Sequence, residues 1–534
     1  MPSHRIRTSR PRGAAALPGV ATSEDDLRAY LEDAAHHSGG RAVGVASPRS
    51  EAELAGLLTA HQRVLVVGAQ SSVTGGATPL DDLVISTARL NQITKIERDR
   101  VRVQVGVSLA SLQEALDAHG LWYPPVPTFS GATVGGVVAT NAAGAATFKY
   151  GSTRNWVRAL RVVLASGDIL EIERGEVTVD DHGVFEIETG GGALRVKVPT
   201  YGMPDVPKCS AGYYARPGMD GVDLFVGSEG TLGVIVDVTL SVLPRQVGLC
   251  LALVPLPDEA RGLKLVDALR RASYETWAAR DPRGIDVAAI EHVDRPSLDI
   301  LRRDGADRRN NVSWPPETDM LLLIQLELPT ALGAEQAYNE IADALAPDAA
   351  DTPLVRVCRL LEQHDALDGA SIALPGARQR ADELLAVREA VPTGVNQRVA
   401  RAKHNVDRRI EKTAADMIVP FDRFGEMMQI YREGFARRGL DYAIWGHISD
   451  GNVHPNVIPR SYDDVRQGRA AILEFGRAIA RLGGCPLAEH GVGRNPIKQT
   501  LLRQLYGDRG IEEMRRVKRT LDPEGKLARG VLFD

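Results

Sequence analysis

The chain has 534 residues, of which 44% are hydrophobic and 25% are charged, and its formal net charge is −5 at pH 7. These values indicate a globular protein of roughly two to four domains and exclude a collagenous, coiled-coil or largely disordered chain. The acidic balance argues against nucleic-acid binding, and no apolar run reaches the roughly 18 residues of a transmembrane segment. Cys209, Cys250, Cys358 and Cys485 lie far apart. Their spacing excludes a CxxC motif and favours a cytoplasmic protein with reduced thiols.

Residues 1–22 are predicted to be a disordered tail. They contain Arg5, Arg7, Arg10 and Arg12, and the first acidic residue of the chain is Glu24. An Arg-rich, acid-free start is also typical of a transit peptide, so the sequence leaves both interpretations open.

The first half of the chain shows short strands and helices in an irregular order. Ser50 and Glu53 are spaced as a capping box ahead of an apolar run that ends near His61, which predicts a helix. The segment Leu109–Ala118, followed by Gly120, predicts another helix. Short apolar, β-branched runs predict strands at Val64–Val67, Leu83–Ser86, Val101–Val105 and Leu160–Leu164. This order indicates an α+β protein rather than a regular βαβ alternation.

A domain boundary is predicted after the apolar run Leu224–Leu243, which Pro244 ends. Pro257 and Asp258 open a helix, and Met320–Leu328 reads as a strand. Residues 281–318 are polar and rich in Arg, Asp and Pro, and they predict a loop-rich insertion. The chain is therefore divided into the tail, a first domain at 23–245, a second domain at 246–475 and a largely helical segment at 476–534.

Three clusters of small residues in the first half could bind phosphate groups. They cover residues 68–76, 131–144 and 227–233. Each offers backbone N–H groups without side-chain bulk, as close approach to a phosphate requires. A glycine-rich turn is usually only a turn, but three in one stretch favour a phosphate-bearing cofactor. No GxGxxG motif opens a helix and no GxxxxGK[ST] motif is present, so a Rossmann site or a P-loop is not supported.

A histidine-bearing hairpin is the sharpest signal in the second half. The sequence Gly446–Pro455 contains Asp450-Gly451, a strong signal for a two-residue hairpin loop. Such a loop would place His447 directly opposite His454, where two imidazoles can bind one metal ion. A hairpin with two histidines and no metal is an equal alternative.

Two further segments carry candidate functional residues. Glu489 could be the third, carboxylate ligand of a two-histidine site, which would leave the adjacent His490 free as a general base. Arg388 precedes Pro392 at a predicted helix end and could hold a substrate carboxylate through its planar fork. An exposed helix arginine is the commoner explanation for Arg388.

Taken together, these stretches resemble the FAD-linked oxidases and dehydrogenases with a vanillyl-alcohol-oxidase-type (PCMH) flavin domain. Within that family the chain is similar to the D-lactate, glycolate and D-2-hydroxyglutarate dehydrogenase branch. The resemblance runs from about residue 40 to the C-terminus. Its motifs appear in family order, at 66–76, 86–91, 131–144, 149–152, 162–167, 224–233, 446–455, 488–493 and 521–525.

The resemblance implies a two-subdomain FAD-binding domain and an α+β substrate domain with an antiparallel sheet. It also implies a C-terminal helical segment that returns to the flavin domain. No histidine or cysteine matches a covalent flavin attachment, so the FAD is expected to be noncovalent. The residues expected to bind it are Gly68, Gln70, Ser71, Ser72, Thr74, Gly75, Gly76, Thr133, Gly135, Gly136, Thr140, Asn141, Gly144, Gly151, Ser152, Glu229, Gly230 and Gly233.

For the reaction, the resemblance implies oxidation of a D-2-hydroxy acid to the 2-oxo acid. A divalent metal, expected to be zinc, would be bound by His447, His454 and Glu489. His490 would act as the base, and Arg388 would hold the substrate carboxylate. Pro392 replaces a threonine that helps to hold the substrate in the hydroxyglutarate enzymes, which puts recognition of a second carboxylate in doubt.

Several functional questions stay open at the level of the sequence. The electron acceptor could be a quinone, a cytochrome or an electron-transfer flavoprotein, and a homodimer is one arrangement that the sequence allows. The alternative function is that of another PCMH flavoenzyme, either like alkylglycerone-phosphate synthase or an aromatic-alcohol oxidase. The paired histidines and the Ala-Glu-His sequence at 488–490 argue for the hydroxy-acid enzymes.

Overall fold

The computed structural model describes residues 3–11, 16–37, 39–125, 127 and 129–533. The chain forms two compact units. The first unit combines the chain up to Gly144 with Gly151–Arg245 and the residues from Cys485 onward. The second unit consists of Ala145–Tyr150 and Gln246–Gly484. Both units mix helices with sheets, as the α+β prediction requires.

The first unit is built on an eight-stranded sheet and a three-stranded parallel sheet. In spatial order, the large sheet contains Gly192–Lys197, Val184–Thr189, Arg5–Ser9, Ile169–Glu173, Val157–Val163, Val234–Ser241, Arg100–Gln104 and Ile93–Ile96. The small sheet contains Arg41–Ala46, Leu80–Ser86 and Val64–Val67. Leu243–Pro244 pairs separately with Leu121–Trp122. The four strands predicted in this half are thereby confirmed, with ends that differ by a few residues.

The prediction of a disordered tail over residues 1–22 is wrong for Arg5–Ser9. This segment forms a strand that pairs with Val184–Thr189 on one side and Ile169–Glu173 on the other. Ile6 is buried while Arg5 and Arg7 are exposed, which is the alternation of a half-buried strand. The arginines dominate the composition of the segment and conceal this short pattern.

The first unit contains both helices that the sequence predicts. Its α-helices are Glu24–Arg28, Glu51–Ala60, Leu109–Asp117, Val134–Ala139, Gly221–Phe225 and Pro496–Leu521. Ser50 caps Glu51–Ala60 by accepting the backbone N–H of Glu53, so the predicted start is confirmed. The run that begins at Leu224 is not one strand, because it divides into Gly221–Phe225, a turn with left-handed residues, and Val234–Ser241.

The second unit is built on a seven-stranded antiparallel sheet. In spatial order its strands are Ser371–Ala373, Gly248–Leu256, Met320–Leu328, Val287–Asp294, Tyr442–His447, Asn452–Val457 and Met417–Ile418. The strand Met320–Leu328 is confirmed. The loop-rich insertion predicted at 281–318 is wrong, because Val287–Asp294 is a fully buried central strand. Polar flanking residues conceal it, and Glu291 and Asp294 interrupt the apolar pattern of the strand itself.

Helices cover this sheet, and one of them carries the candidate residue Arg388. They are Thr147–Tyr150, Glu259–Ala279, Arg295–Asp304, Ala306–Arg309, Ala334–Ala342, Pro353–Gln363, Arg378–Asn405, Phe424–Ala436 and Tyr462–Arg481. Leu384, Val387, Val391 and Val395 form a buried stripe along Arg378–Asn405 at helical spacing. Among the described residues, no helix has an apolar stretch long enough to cross a bilayer.

Candidate active site

The three glycine-rich clusters meet around one cavity of the first unit. Its volume is about 440 Å³, within the range of small-molecule and cofactor sites. The predicted cofactor-binding residues that line it are Gly68, Gln70, Ser71, Ser72, Gly76, Thr133, Gly135, Gly136, Thr140, Gly144, Glu229, Gly230 and Gly233. Segments that lie up to 165 positions apart in the sequence therefore contribute to one wall, as a shared phosphate-bearing ligand would require.

The remaining predicted cofactor residues do not line the cavity. They are Thr74, Gly75, Asn141, Gly151 and Ser152. The side-chain oxygen of Asn141 accepts the N–H of Arg154 at 2.9 Å. The N–H of Ser152 donates to the side-chain oxygen of Asn155 at 3.1 Å.

Gln70 holds the shape of the first glycine-rich loop, at residues 68–76. Gln70 adopts a left-handed conformation with φ 51°. Its side-chain amide donates to the carbonyls of Tyr30, Glu32 and Ala77 at 3.1–3.2 Å. These bonds offset the cost of the left-handed backbone and leave the neighbouring residues facing the cavity.

Close approach of backbones around the cavity fits a large cofactor such as FAD. A Cβ atom at Gly68 would lie 2.1 Å from Thr133 Oγ1, and one at Gly135 would lie 2.7 Å from Val105 Cβ. Any side chain at these positions would displace the neighbouring segment. Only glycine keeps these walls closed while exposing backbone N–H groups to a ligand.

We expect Gly68→Ala to weaken FAD binding by about tenfold or more, because the new methyl group must displace Thr133. Titration of the apoprotein with FAD, followed by flavin fluorescence, measures this change. Gly202→Ala is the matched control, since a Cβ at Gly202 meets no atom within 4 Å. The double variant Gly68→Ala/Thr133→Ala should recover part of the affinity. Unchanged affinity in Gly68→Ala would contradict this account of the wall.

Glu229 joins the third cluster to the loop that carries the predicted base. Its carboxylate accepts the N–H groups of Val492 and Gly493, both at 2.8 Å. Burial raises the pKa of Glu229 to about 7, although these two hydrogen bonds favour the ionised form. Glu229 has φ 52°, so the 227–233 turn directs this carboxylate at the loop.

Glu489 and His490 lie on the cavity wall within the same unit. His490 Nε2 is 3.6 Å from Glu489 Oε1, and the His490 side chain is 38% exposed. The fully buried ammonium of Lys208 donates to Glu489 Oε2 at 3.0 Å. Lys208 holds Glu489 in a fixed position, and no local pattern predicts this pairing because the two residues are 281 positions apart.

The hairpin in the second unit has a register that differs from the predicted one. His447 pairs with Asn452, and Trp445 pairs with His454. The prediction that His447 lies directly opposite His454 is wrong, because Ile448–Asp450 forms a 3-10 turn before Gly451 and lengthens the connection. Asn452 and His454 are two positions apart and therefore share a face. His447 and His454 are thus diagonal neighbours on one face, with ring centroids 5.5 Å apart.

Glu291 connects His447 to Arg388. Its Oε1 lies 2.5 Å from His447 Nδ1, and its Oε2 accepts Arg388 Nε at 2.7 Å. Burial alone would raise the pKa of Glu291, but the positive charges of Arg388 and His447 outweigh it and hold this pKa well below its usual range. The carboxylate is therefore ionised at neutral pH.

The sequence predicts that Arg388 lies at the end of a helix, and this prediction is wrong. The helix Arg378–Asn405 continues through Pro392. Pro392 lacks the N–H that would bond the Arg388 carbonyl, but the buried stripe at Val387, Val391 and Val395 packs the helix onto the unit's core. Tertiary packing thus overrides the helix-ending tendency of proline, and Arg388 is a half-buried interior residue.

A second buried carboxylate lies beside His454. Asp416 Oδ1 is 3.5 Å from His454 Nδ1, and it accepts the side-chain amide of Asn452 at 3.1 Å. Metal-binding histidines usually have a carboxylate at the ring nitrogen that does not bind the metal. Glu291 is such a carboxylate for His447, and Asp416 lies near His454 and is itself a candidate ligand. These imidazole and carboxylate donors fit a divalent cation such as zinc. Sequence reasoning missed Glu291 and Asp416, which lie far from the hairpin motif.

Comparison with known proteins agrees with these features. A family described as an FAD binding domain matches residues 42–173, and the C-terminal domain of the FAD linked oxidases matches residues 265–532. Alkyldihydroxyacetonephosphate synthase has a similar fold, with a TM-score of 0.59 and 14% identity over 98% of this chain and 88% of that chain. This likeness concerns the fold alone and confirms the PCMH-type fold class.

Relatives of similar length carry three related names. Glycolate oxidase subunit GlcD of Bacillus subtilis (strain 168) is 28% identical and covers 92% of this chain and 88% of its own. D-2-hydroxyglutarate dehydrogenase of Stutzerimonas stutzeri is 27% identical over 97% and 96% of the two chains. D-lactate dehydrogenase of Archaeoglobus fulgidus is 25% identical over 91% and 90%.

The family matches include two of the three glycine-rich clusters that line the cavity of the first unit, at 68–76 and 131–144, and the histidine hairpin of the second unit. The C-terminal match alone spans about half of the chain. The protein therefore belongs to the FAD linked oxidases and carries their FAD binding domain.

Proposed function

We propose that this protein is an FAD-dependent dehydrogenase that oxidises a D-2-hydroxy acid, such as D-lactate, glycolate or D-2-hydroxyglutarate, to the 2-oxo acid. The observation that carries the proposal is the polar face of the second unit. There, two histidines share one side of a hairpin, and Glu291 joins one of them to an arginine. Metal-ligating imidazoles beside a guanidinium match a substrate with a hydroxyl next to a carboxylate. The names of the three relatives support the same substrate class.

The flavin would be held noncovalently in the cavity lined by the glycine-rich clusters. When bound, FAD supplies a two-electron acceptor for the hydride of the substrate C2. The walls of the cavity fix its orientation through backbone N–H groups, and Glu229 ties one wall to the loop that carries His490. We assign the binding of FAD to the residues that line the cavity.

A divalent cation, for which zinc is our choice, would be bound by His447, His454 and Glu489. Imidazole and carboxylate are ligands that zinc accepts, and three protein ligands leave a position for substrate. Such a cation lowers the pKa of a hydroxyl that it binds. Glu291 and Lys208 are buried partners that keep His447 and Glu489 in place.

The remaining roles fall to His490 and Arg388. His490 would accept the proton of the substrate 2-hydroxyl, because histidine is the side chain that most often serves as a general base in enzymes. Arg388 would bind the substrate carboxylate through its planar guanidinium, which Glu291 orients by accepting Nε at 2.7 Å. The electrons would then pass to a quinone, a cytochrome or an electron-transfer flavoprotein.

Steady-state assays with an artificial dye as electron acceptor test the substrate class. We expect D-2-hydroxy acids to be oxidised at least about 100-fold more efficiently than their L-enantiomers, because a positioned arginine and base discriminate between mirror images. Glycolate, which has no stereocentre, is the internal comparison. Turnover of aromatic alcohols without turnover of any 2-hydroxy acid would contradict the proposal and favour the aromatic-alcohol oxidase alternative.

A further inference from the structure

Glu291 occupies a position where the sheet and a helix meet within the second unit. It lies on the central strand Val287–Asp294 and pairs directly with His447 on the neighbouring strand. Directly opposed residues of antiparallel strands point to the same face. Arg388 reaches the same carboxylate from the helix Arg378–Asn405. The Glu291 side chain is 3% exposed, so these contacts replace water.

Each oxygen of Glu291 serves a different side chain. Oε1 lies 2.5 Å from His447 Nδ1, and a carboxylate that accepts this hydrogen bond places the proton of the imidazole on Nδ1. The lone pair of a neutral His447 then lies on Nε2, through which His447 would bind a metal. Oε2 accepts Arg388 Nε at 2.7 Å, which fixes the plane of the guanidinium.

We propose that Glu291 is a positioning residue that sets both the tautomer of His447 and the orientation of Arg388. This inference rests on the proposed function, in which His447 binds a metal and Arg388 binds the substrate carboxylate. A single buried carboxylate thereby aligns the group that binds the substrate hydroxyl with the group that binds the substrate carboxylate. The distance between these two binding groups is set by one residue.

A purely structural ion pair would give different results from a positioning residue. Loss of a structural pair would lower thermal stability and leave the metal affinity of the folded protein unchanged. Loss of a positioning residue weakens metal binding, because carboxylates behind metal-ligating histidines typically contribute 10- to 100-fold to affinity. It also raises KM, because the Arg388 guanidinium loses its fixed plane.

The test is cobalt binding to FAD-loaded protein from which metal has been removed, with Co²⁺ as the probe. Calorimetry and the visible absorption of bound cobalt report the affinity independently of turnover. We expect Glu291→Gln to bind Co²⁺ about 10- to 100-fold more weakly than the wild type and to raise KM for the D-2-hydroxy acid. Glu389→Gln is the matched control, since its exposed carboxylate lies only 3.5 Å from Arg388 Nη1 and should leave Co²⁺ affinity unchanged.

Additional variants separate failure of this inference from failure of the proposed function. His447→Ala should weaken cobalt binding, and adding Glu291→Gln to it should cause little further loss, because both act on one ligand. Wild-type affinity in Glu291→Gln would overturn this inference alone. No cobalt binding in the wild type would overturn the metal assignment of the proposed function and this inference with it. If Glu291→Gln fails to fold, Glu291→Asp carries the test, since the shorter side chain cannot reach both partners.

Discussion

Replacing His490 by asparagine should reduce the rate of flavin reduction by a D-2-hydroxy acid by about 10²- to 10⁴-fold, which is the usual contribution of a general base. Asparagine retains polarity and similar bulk but cannot accept the hydroxyl proton at neutral pH. The FAD should stay bound, because the cavity wall around His490 is fixed by the bonds from Val492 and Gly493 to Glu229. Stopped-flow absorbance under anaerobic conditions measures the rate, and the flavin spectrum measures the FAD content.

The same substitution at a second histidine distinguishes a general base from a merely structural histidine. Only the substitution at His490 should remove most of the rate, because only His490 is assigned as the proton acceptor. His182→Asn is the control, since His182 is an exposed histidine of the same unit. A His490→Asn rate close to that of the wild type would exclude His490 as the base.

Replacing Arg388 by lysine should raise KM for the hydroxy acid by about 10- to 100-fold, with a smaller effect on kcat. Lysine keeps the positive charge beside Glu291, which avoids leaving a buried carboxylate uncompensated. It loses the planar fork that binds a carboxylate through two hydrogen bonds. The expected factor corresponds to the roughly 1.5–3 kcal/mol of a hydrogen bond to a charged group.

Arg398 supplies a matched control for this substitution. It lies on the same helix and forms a two-bond ion pair with Asp304, at 2.7 and 3.0 Å. Arg398→Lys therefore repeats the chemical change at a structural arginine, and KM should stay near its wild-type value. An equal rise of KM in both variants would show that the helix, rather than the Arg388 guanidinium, is responsible.

Local sequence signals predicted those parts of the fold that depend on neighbouring residues. The cap at Ser50 and the strand Val64–Val67 are set by local hydrogen bonding and by β-branched side chains, so the sequence reveals them. The strand Val287–Asp294 was not predicted, because charged residues such as Glu291 interrupt its apolar pattern. The buried carboxylate of Glu291 is tolerated there because His447 and Arg388, from distant segments, contact it.

The predicted register of the hairpin is wrong because the same local sequence is compatible with two different turns. Asp450-Gly451 is compatible with a two-residue loop, but it is also compatible with a 3-10 turn that places Gly451 in the left-handed region at φ 88°. Both alternatives put His447 and His454 on one face, so the functional expectation survives the change of register. The buried carboxylates behind the histidines required the tertiary structure, since no local pattern links Glu291 to His447.

The absorbance of the bound flavin tests the central claim most directly. Protein purified with its FAD and metal is mixed anaerobically with a D-2-hydroxy acid, its L-enantiomer, or the D-acid after treatment with a chelator. The account predicts rapid loss of the flavin absorbance band with at least one D-acid, little loss with the L-acid, and at least a tenfold slower loss after chelation that added metal restores. A flavin that no 2-hydroxy acid reduces would contradict the proposed substrate class, and rapid reduction after complete metal removal would contradict the role of the metal.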